Sequence, residues 1–196
     1  MSKRALIVFL AFLVAACAGS PTPVPTPSSA QIDKEEQAVY AALLHHLYTA
    51  SNYALMDTTA TGMGGVADTV TSLDRMFLDM HDLEQSTAES FSARNAVTTP
   101  VSSDMELGGE YVLVSQEEMS QIFSQNRDGW ALFYERYPDT PGITTISRAG
   151  FNETLDQALV YIGTMSHWLA GAGYYVLLSK VNGSWIVEQQ VMTWIS

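Results

Sequence analysis

The spacing of apolar residues in the first half of the chain is typical of amphipathic helices. From about residue 31 or 33, apolar residues recur three and four positions apart, on one side of a helix: Val39, Tyr40, Leu43, Leu44, Leu47 and Tyr48. A second stripe of this kind runs over residues 70–83, and we expect it to continue, with a break, to Arg94. The pattern predicts two N-terminal helices, separated by a short strand near residues 53–57.

Two shorter helices are predicted in the middle of the chain from signals at their ends. Ser115 and Glu118 have the spacing of a capping box, and they follow a strand-like run at residues 110–114. A further helix is expected at residues 128–137, where aromatic residues recur at helical spacing until Pro138.

From Gly142 onward the apolar period changes to two, which is the repeat of a β-strand. Four strand-like runs follow, at residues 143–151, 157–168, 173–181 and 185–195. Asn182-Gly183 lies between the last two runs, and this dipeptide is the strongest short signal for a hairpin. The whole pattern predicts an α+β fold in which N-terminal helices pack on one face of a C-terminal antiparallel β-meander.

The C-terminal third resembles a domain of uncharacterised bacterial secreted proteins and lipoproteins. The segments that carry the resemblance are ISRAGFN at 146–152, QALVY at 157–161, GYYVLL at 173–178, GSW at 183–185 and WIS at 194–196. That family brings no assigned activity with it. More loosely, a long helix with a curled terminal meander is similar to the cystatin-like and NTF2-like architectures. Their enzymes use Asp, Tyr or His residues in a pocket, and no such motif is matched here residue by residue.

The first residues of the chain have the features of a bacterial export signal. Lys3 and Arg4 precede an uninterrupted apolar run at residues 5–14. That run is shorter than the about 20 residues needed to cross a bilayer. The next residues resemble the lipobox of bacterial lipoproteins, whose cysteine is lipidated and becomes the new N-terminus: Val14-Ala15-Ala16-Cys17.

The lipobox divides the chain into three parts. We predict a signal peptide at residues 1–16, a lipidated Cys17 with a proline-rich tether at residues 17–30, and a single α+β domain at residues 31–196. Alternating prolines favour extended polyproline II in the tether. The domain is then expected on the extracytoplasmic side of the cell envelope, with a membrane as its partner through the lipid on Cys17. The alternative is a secreted protein with an incidental cysteine in its signal.

The charge balance argues against a nucleic-acid partner. The chain has 21 acidic residues against nine lysines and arginines, for a net charge of −12, which becomes −14 when Lys3 and Arg4 leave with the signal peptide. Such a charge repels nucleic acids and anionic lipid headgroups. Cys17 is the only cysteine, so the domain has no disulfide to stabilise it.

No catalytic or metal-binding motif is visible, and we predict no catalytic residue, metal or cofactor. His45 and His46 are neighbours on a helix, so they cannot both face one ion. Arg148 could meet either a carboxylate or a bound anion. Aromatic residues of the strands either fill the core or line a pocket. The candidate ligand-facing residues are Tyr161, Trp168, Tyr174 and Arg148.

These patterns favour a binding domain on the cell envelope as the leading functional hypothesis. Its partner would be an envelope protein or a small molecule that contacts the aromatic side of the sheet. Two alternatives stay open: an enzyme with a pocket in an NTF2-like cone, and a structural protein of the envelope.

Overall fold

The computed structural model describes residues 26–48, 52–61, 79–125 and 127–196. Cys17, most of the proline-rich tether and residues 70–78 of the predicted second helix lie outside the described residues. The described part contains four helices and seven strands: α1 (Ser29–Leu47), β1 (Asn52–Met56), α2 (Gln85–Arg94), β2 (Glu110–Val114), α3 (Gln116–Phe123), α4 (Gly129–Arg136), β3 (Ile143–Ile146), β4 (Gly150–Phe151), β5 (Gln157–His167), β6 (Ala170–Val181) and β7 (Ser184–Ile195).

Capping boxes set the start of two helices. α1 begins at Ser29, a little earlier than predicted, because the Ser28 side chain accepts from the Gln31 N–H while the Gln31 side chain accepts from the Ser28 N–H. The capping box predicted at Ser115 and Glu118 is confirmed at the start of α3. Both boxes join residues three positions apart, and they are therefore readable from local sequence.

The strands form one mixed sheet in the order β2-β1-β3-β5-β6-β7, with β4 also paired to β5. β5, β6 and β7 are the predicted antiparallel meander. Asn182 and Gly183 join β6 to β7 with positive φ angles of 51° and 84°, which confirms the predicted hairpin turn. β1 runs parallel to both β2 and β3, so it joins two non-adjacent parts of the chain. The α+β class is confirmed.

The predicted single strand over residues 143–151 is divided in two. β3 and β4 both pair with β5, but residues 147–149 leave the ladder between them. The Ser147 N–H still donates to the Tyr161 carbonyl, at 2.9 Å, and the Ser147 hydroxyl accepts from the Tyr161 N–H, at 2.8 Å. This break leaves the backbone of Arg148 and Ala149 free to bond to helices instead of a strand.

The helices lie on both faces of the sheet, whereas the sequence pattern predicted one face. α1 packs on the face that carries Ala158, Val160 and Ile162 of β5. α2 packs against Leu159 and Tyr161 on the opposite face. α3 and α4 also lie on that opposite face, over β1, β2 and β3. The apolar run in β5 is continuous rather than alternating, which is the pattern of a strand covered on both sides.

Candidate functional site

A cleft of about 470 Å³ opens on the α1 face of the sheet, at the C-terminal end of α1. α1 ends at Leu47, with Tyr48 as its cap, while β5, β6 and β7 extend further and form the rest of the wall. The apolar part of the lining comes from both the helix end and the strands: Leu47, Ile162, Ala172 and Ile195. The volume lies in the range of small-molecule sites, about 300–1,000 Å³.

One wall of the cleft carries a chain of hydroxyl groups. Tyr48 and Thr164 share a short hydrogen bond between their hydroxyls, and the Thr164 hydroxyl lies 3.2 Å from that of Thr144. Burial raises the pKa of Tyr48, and the hydrogen bonds with Thr164 and Thr144 offset this only in part. This wall is therefore polar but uncharged, and its hydroxyls bond to one another.

The other wall presents two polar groups from neighbouring strands. Tyr174 of β6 pairs with Met192, and Val176 of β6 pairs with Gln190, so Tyr174 and Gln190 are diagonal neighbours on one face. Within the described part of the chain, neither the Tyr174 hydroxyl nor the Gln190 amide has a hydrogen-bond partner. Both groups are therefore able to bond to a molecule in the cleft.

Ionised side chains are missing from this lining. Among the described residues, the cleft is lined only by aliphatic, hydroxyl-bearing and amide side chains and by backbone. The lack of ionised side chains in the cleft contrasts with the net charge of −12 on the whole chain. No ionised side chain therefore lies in the described lining of the cleft, although the protein is acidic.

Of the four predicted ligand-facing residues, only Tyr174 lines this cleft. Tyr161 is 2% exposed and belongs to the core on the opposite face, where its hydroxyl accepts from the Trp194 indole N–H at 2.8 Å. Burial raises the pKa of Tyr161. Trp168 is 63% exposed and borders a separate groove of about 340 Å³, with its ring edge-on to Phe123. The predicted residues therefore do not form one site.

Arg148, the fourth predicted residue, bonds to a buried carboxylate. Its Nε lies 2.9 Å from both carboxylate oxygens of Glu36, and a terminal guanidinium nitrogen lies 2.7 Å from one of them. Arg94 of α2 donates to the same carboxylate at 3.0 Å, and the Ala149 N–H donates at 2.7 Å. Of the two partners considered for Arg148, the structure shows the carboxylate.

The electrostatics of this cluster keep Glu36 ionised. Burial by itself raises the pKa of Glu36, but the hydrogen bond from Arg148 and the charges of Arg94 and Arg148 lower it further than burial raises it. The net pKa lies below the usual range. Several donors already form hydrogen bonds with the carboxylate oxygens of Glu36. Through these bonds Glu36 connects α1 to α2 and to the β3–β4 connection.

Sequence reasoning missed Glu36, although a signal was present. Glu36 precedes Val39, Tyr40 and Leu43 by three, four and seven positions, so it lies on the apolar stripe of α1. A charged residue on such a stripe needs a buried partner. Nothing local indicated which residue that partner would be.

The histidines do not come together. His45 and His46 are exposed on the last turn of α1, and His167 stacks on the ring of Trp130. In the part of the chain that the structure describes, no group of three or more His, Cys, Asp and Glu residues is placed to hold a metal ion. None of the described helices combines the length and the apolar character needed to span a bilayer.

Comparisons with known proteins give no relative for this chain. No protein-family model, no curated protein and no solved structure matches it. A functional interpretation therefore depends on the sequence signals and on the geometry of the cleft.

Proposed function

We propose that the chain is a bacterial lipoprotein, held on the extracytoplasmic side of a membrane by lipid on Cys17, whose folded domain binds a small molecule. The observation that carries the binding role is the cleft at the end of α1. It combines apolar walls with two polar groups, on Tyr174 and Gln190, that have no partner in the described part of the chain. Ligand sites are usually concave, largely apolar and furnished with a few such groups.

Binding without catalysis fits this site better than an enzyme of the NTF2-like type. General acid or base catalysis needs a titrating side chain within hydrogen-bond reach of the substrate. The described lining of the cleft has no Asp, Glu or His. The buried carboxylate of Glu36 is bonded to Arg148, Arg94 and the Ala149 N–H, so it is poorly placed to exchange a proton.

A purely structural envelope role has less support. It would call for a large, continuous and self-complementary apolar surface. The exposed large apolar residues of the described chain are instead scattered over separate places, among them Val97, Val112 on β2, Trp168 and Leu169 in the β5–β6 turn, and Ile186 on β7.

The lipid anchor is tested by partition of the full-length chain between water and a nonionic detergent phase after expression in a bacterium. The wild-type chain should enter the detergent phase and incorporate labelled fatty acid. The Cys17→Ser variant should do neither, because it lacks the thiol that carries the lipid. Ser20→Ala, three residues further on, is the matched control and should behave as wild type. A Cys17→Ser chain that is still labelled would disprove the anchor.

The cleft is tested with the neutral dye N-phenyl-1-naphthylamine, which fluoresces in apolar sites. The wild-type domain should enhance its fluorescence, and Ala172→Phe, which fills the cleft, should abolish the enhancement. Ala131→Phe adds the same ring at an exposed position of α4 and should leave dye binding unchanged. Circular dichroism verifies that both variants fold. Equal dye binding by wild type and Ala172→Phe would remove the cleft as the binding site.

A further inference from the structure

The turn between β5 and β6 presents large apolar side chains to solvent. Trp168 is 63% exposed and Leu169 is 82% exposed, the highest value for a large apolar residue in the described part of the chain. Ile195, 72% exposed, lies at the same end of the sheet, because the end of β7 pairs with the start of β6. The ring of Trp168 also meets Phe123 edge-on, which supports its position. We refer to Trp168, Leu169 and Ile195 as the apolar tip.

Charged side chains are missing from the segments that build the apolar tip. Residues 157–179, which include β5, the turn and most of β6, contain no Asp, Glu, Lys or Arg, and neither do residues 189–196. The charged residues of α1 lie in its first half, and residues 37–48 have none. On the other face, the residues before α4 add one acid and one base, Asp128 and Arg127. The strands and the helix end around the tip therefore supply it with no charged side chain, in a chain with 21 acidic residues.

The apolar tip and the start of α1, where the tether joins the domain, lie at opposite ends of that helix. Leu47 and Tyr48, at the C-terminal end of α1, line the same cleft as Ala170 at the start of β6. Near the other end of α1, Glu35 accepts a hydrogen bond from Lys180, close to the far end of β6. α1 has 19 residues, so it is about 28 Å long.

The tether is long enough for the tip to reach the membrane that would hold Cys17. Residues 17–28 span about 35 Å when extended as polyproline II, at about 3.1 Å per residue. That reach exceeds the length of α1, so the domain can tilt until its tip meets the bilayer while the lipid stays inserted. Such a contact needs little affinity of its own, because the anchor makes it intramolecular and raises its effective concentration.

We propose that the apolar tip is a second contact with the membrane, made to the surface of a zwitterionic phospholipid bilayer. Trp168 and Leu169 enter the interfacial layer, where the amphipathic ring of tryptophan is favoured. The surface is zwitterionic because the acidic chain repels anionic headgroups. This inference rests on the proposed anchor at Cys17, since a few side chains bury too little apolar area to hold the protein on a membrane alone.

Brominated phospholipid tests this contact in the full-length, lipidated protein. Bromine on the acyl chains quenches tryptophan fluorescence only at short range, so wild-type protein should emit less in vesicles of brominated phosphatidylcholine than in unbrominated ones. Trp168→Phe should lose most of that quenching. Trp185→Phe is the matched control and should keep it, because Trp185 is buried and pairs with Lys180 at the other end of the sheet. Circular dichroism verifies that both variants fold.

A charge in the turn tests the apolar character of the contact. Leu169→Asp should abolish the quenching of Trp168 without releasing the protein from the vesicles, since a carboxylate is costly to bury and the lipid anchor remains. Ile186→Asp places the same charge at another exposed apolar residue, near the opposite end of β7 from Ile195. This control should leave the quenching unchanged. Circular dichroism again verifies folding.

Flotation of the same vesicles separates failure of this inference from failure of the anchor. Wild-type protein that does not float with the vesicles would overturn the anchor, and the tip contact with it. Protein that floats but is not quenched, or that is quenched equally after Trp168→Phe, would overturn the tip contact alone. A wild-type dimer in detergent that Leu169→Asp converts to a monomer, with no quenching by bromine, would assign the tip to a second copy of the chain instead.

Discussion

The carboxylate of Glu36, on α1, forms hydrogen bonds with α2 and with the β3–β4 connection, so it links three parts of the domain. Its side chain is 9% exposed, while those of its partners Arg94 and Arg148 are 22% and 25% exposed. A buried charge is tolerated only with good geometry and satisfied hydrogen bonds, and Glu36 has both. Removing its charge would take away the anion that Arg94 and Arg148 share, and would leave Arg148 with the exposed carboxylate of Asp33, 3.5 Å away.

Replacing Glu36 with glutamine should therefore destabilise the domain. We expect Glu36→Gln to lower the free energy of unfolding by about 2–3 kcal/mol, less than for a fully buried pair because both arginines reach solvent. Urea unfolding at neutral pH measures the change. The control is Glu135→Gln, which breaks the exposed Arg127–Glu135 pair and should have no measurable effect. Equal stability of the two variants would show that the cluster contributes nothing.

The same residue should give the domain a defined dependence on pH. In the folded protein the pKa of Glu36 lies below its ordinary value of 4.5, so the unfolded chain takes up the proton first as the pH falls. The stabilisation is complete above about pH 4.5 and is lost as the pH falls through the folded pKa. The difference in unfolding free energy between wild type and Glu36→Gln should keep its full value well above pH 4.5 and should shrink as the pH falls below it. Denaturant unfolding at each pH measures this difference. A difference in unfolding free energy that does not change with pH would contradict the ion pairing of Glu36.

At the scale of elements, three glycines make room for a tryptophan on the sheet. The indole of Trp194 lies over Gly171 and Gly173, and its N–H donates to the Tyr161 hydroxyl at 2.8 Å. A Cβ on Gly173 would overlap the indole nitrogen, and one on Gly163 would lie 2.7 Å from the Tyr161 hydroxyl. Glycines on β5 and β6 and a tryptophan on β7 thus form one contact across three strands.

A Gly173→Ala substitution should disturb that contact. The added methyl must displace the indole of Trp194, and we expect a loss of about 2 kcal/mol in unfolding free energy and altered tryptophan fluorescence. In a Trp194→Phe background the loss should be smaller, since the two changes affect the same contact. Gly183→Ala is the matched control: its φ of +84° makes alanine strained, yet no atom lies within 4 Å. Its cost should be the same in both backgrounds, and an unchanged cost for Gly173→Ala would refute the steric explanation.

At the scale of the whole molecule, three apolar clusters share one sheet. One cluster lies under α1, a second under α2, and a third joins α3 and α4 to β1, β2 and β3. β1 connects the parts because it pairs in parallel with β2 on one side and β3 on the other. The clusters are therefore joined through continuous backbone hydrogen bonds.

This arrangement predicts that the described helices and strands unfold as one cooperative unit. Trp185 belongs to the first cluster, Trp130 to the third, and Trp194 bonds to Tyr161 of the second. In variants that keep one of these three tryptophans, with the other two and Trp168 replaced by phenylalanine, the fluorescence midpoint in urea should coincide with the midpoint from circular dichroism. A lower midpoint seen by Trp130 alone would show that α3 and α4 open as a separate unit.

Sequence patterns predicted many elements but not the candidate cleft. Strand and helix periods identified the meander and the buried side of α1, because each depends on residues a few positions apart. Tyr174 was predicted to face a ligand, but its companion groups on Tyr48 and Gln190 were not. A pocket lining carries no period of its own, since it collects single residues from several elements.

The sequence by itself determined the features that depend on near neighbours. The export signal and the lipobox are predictions, whereas the capping box at Ser115 and Glu118, the Asn182-Gly183 turn and the α+β class are confirmed in the structure. Only the tertiary structure decided that helices cover both faces, that Glu36 meets Arg148 across 112 positions, and that Tyr48 meets Thr164 across 116. The physical reason is that contacts between distant residues are selected by packing and burial of the whole chain, and leave no regular spacing in the sequence.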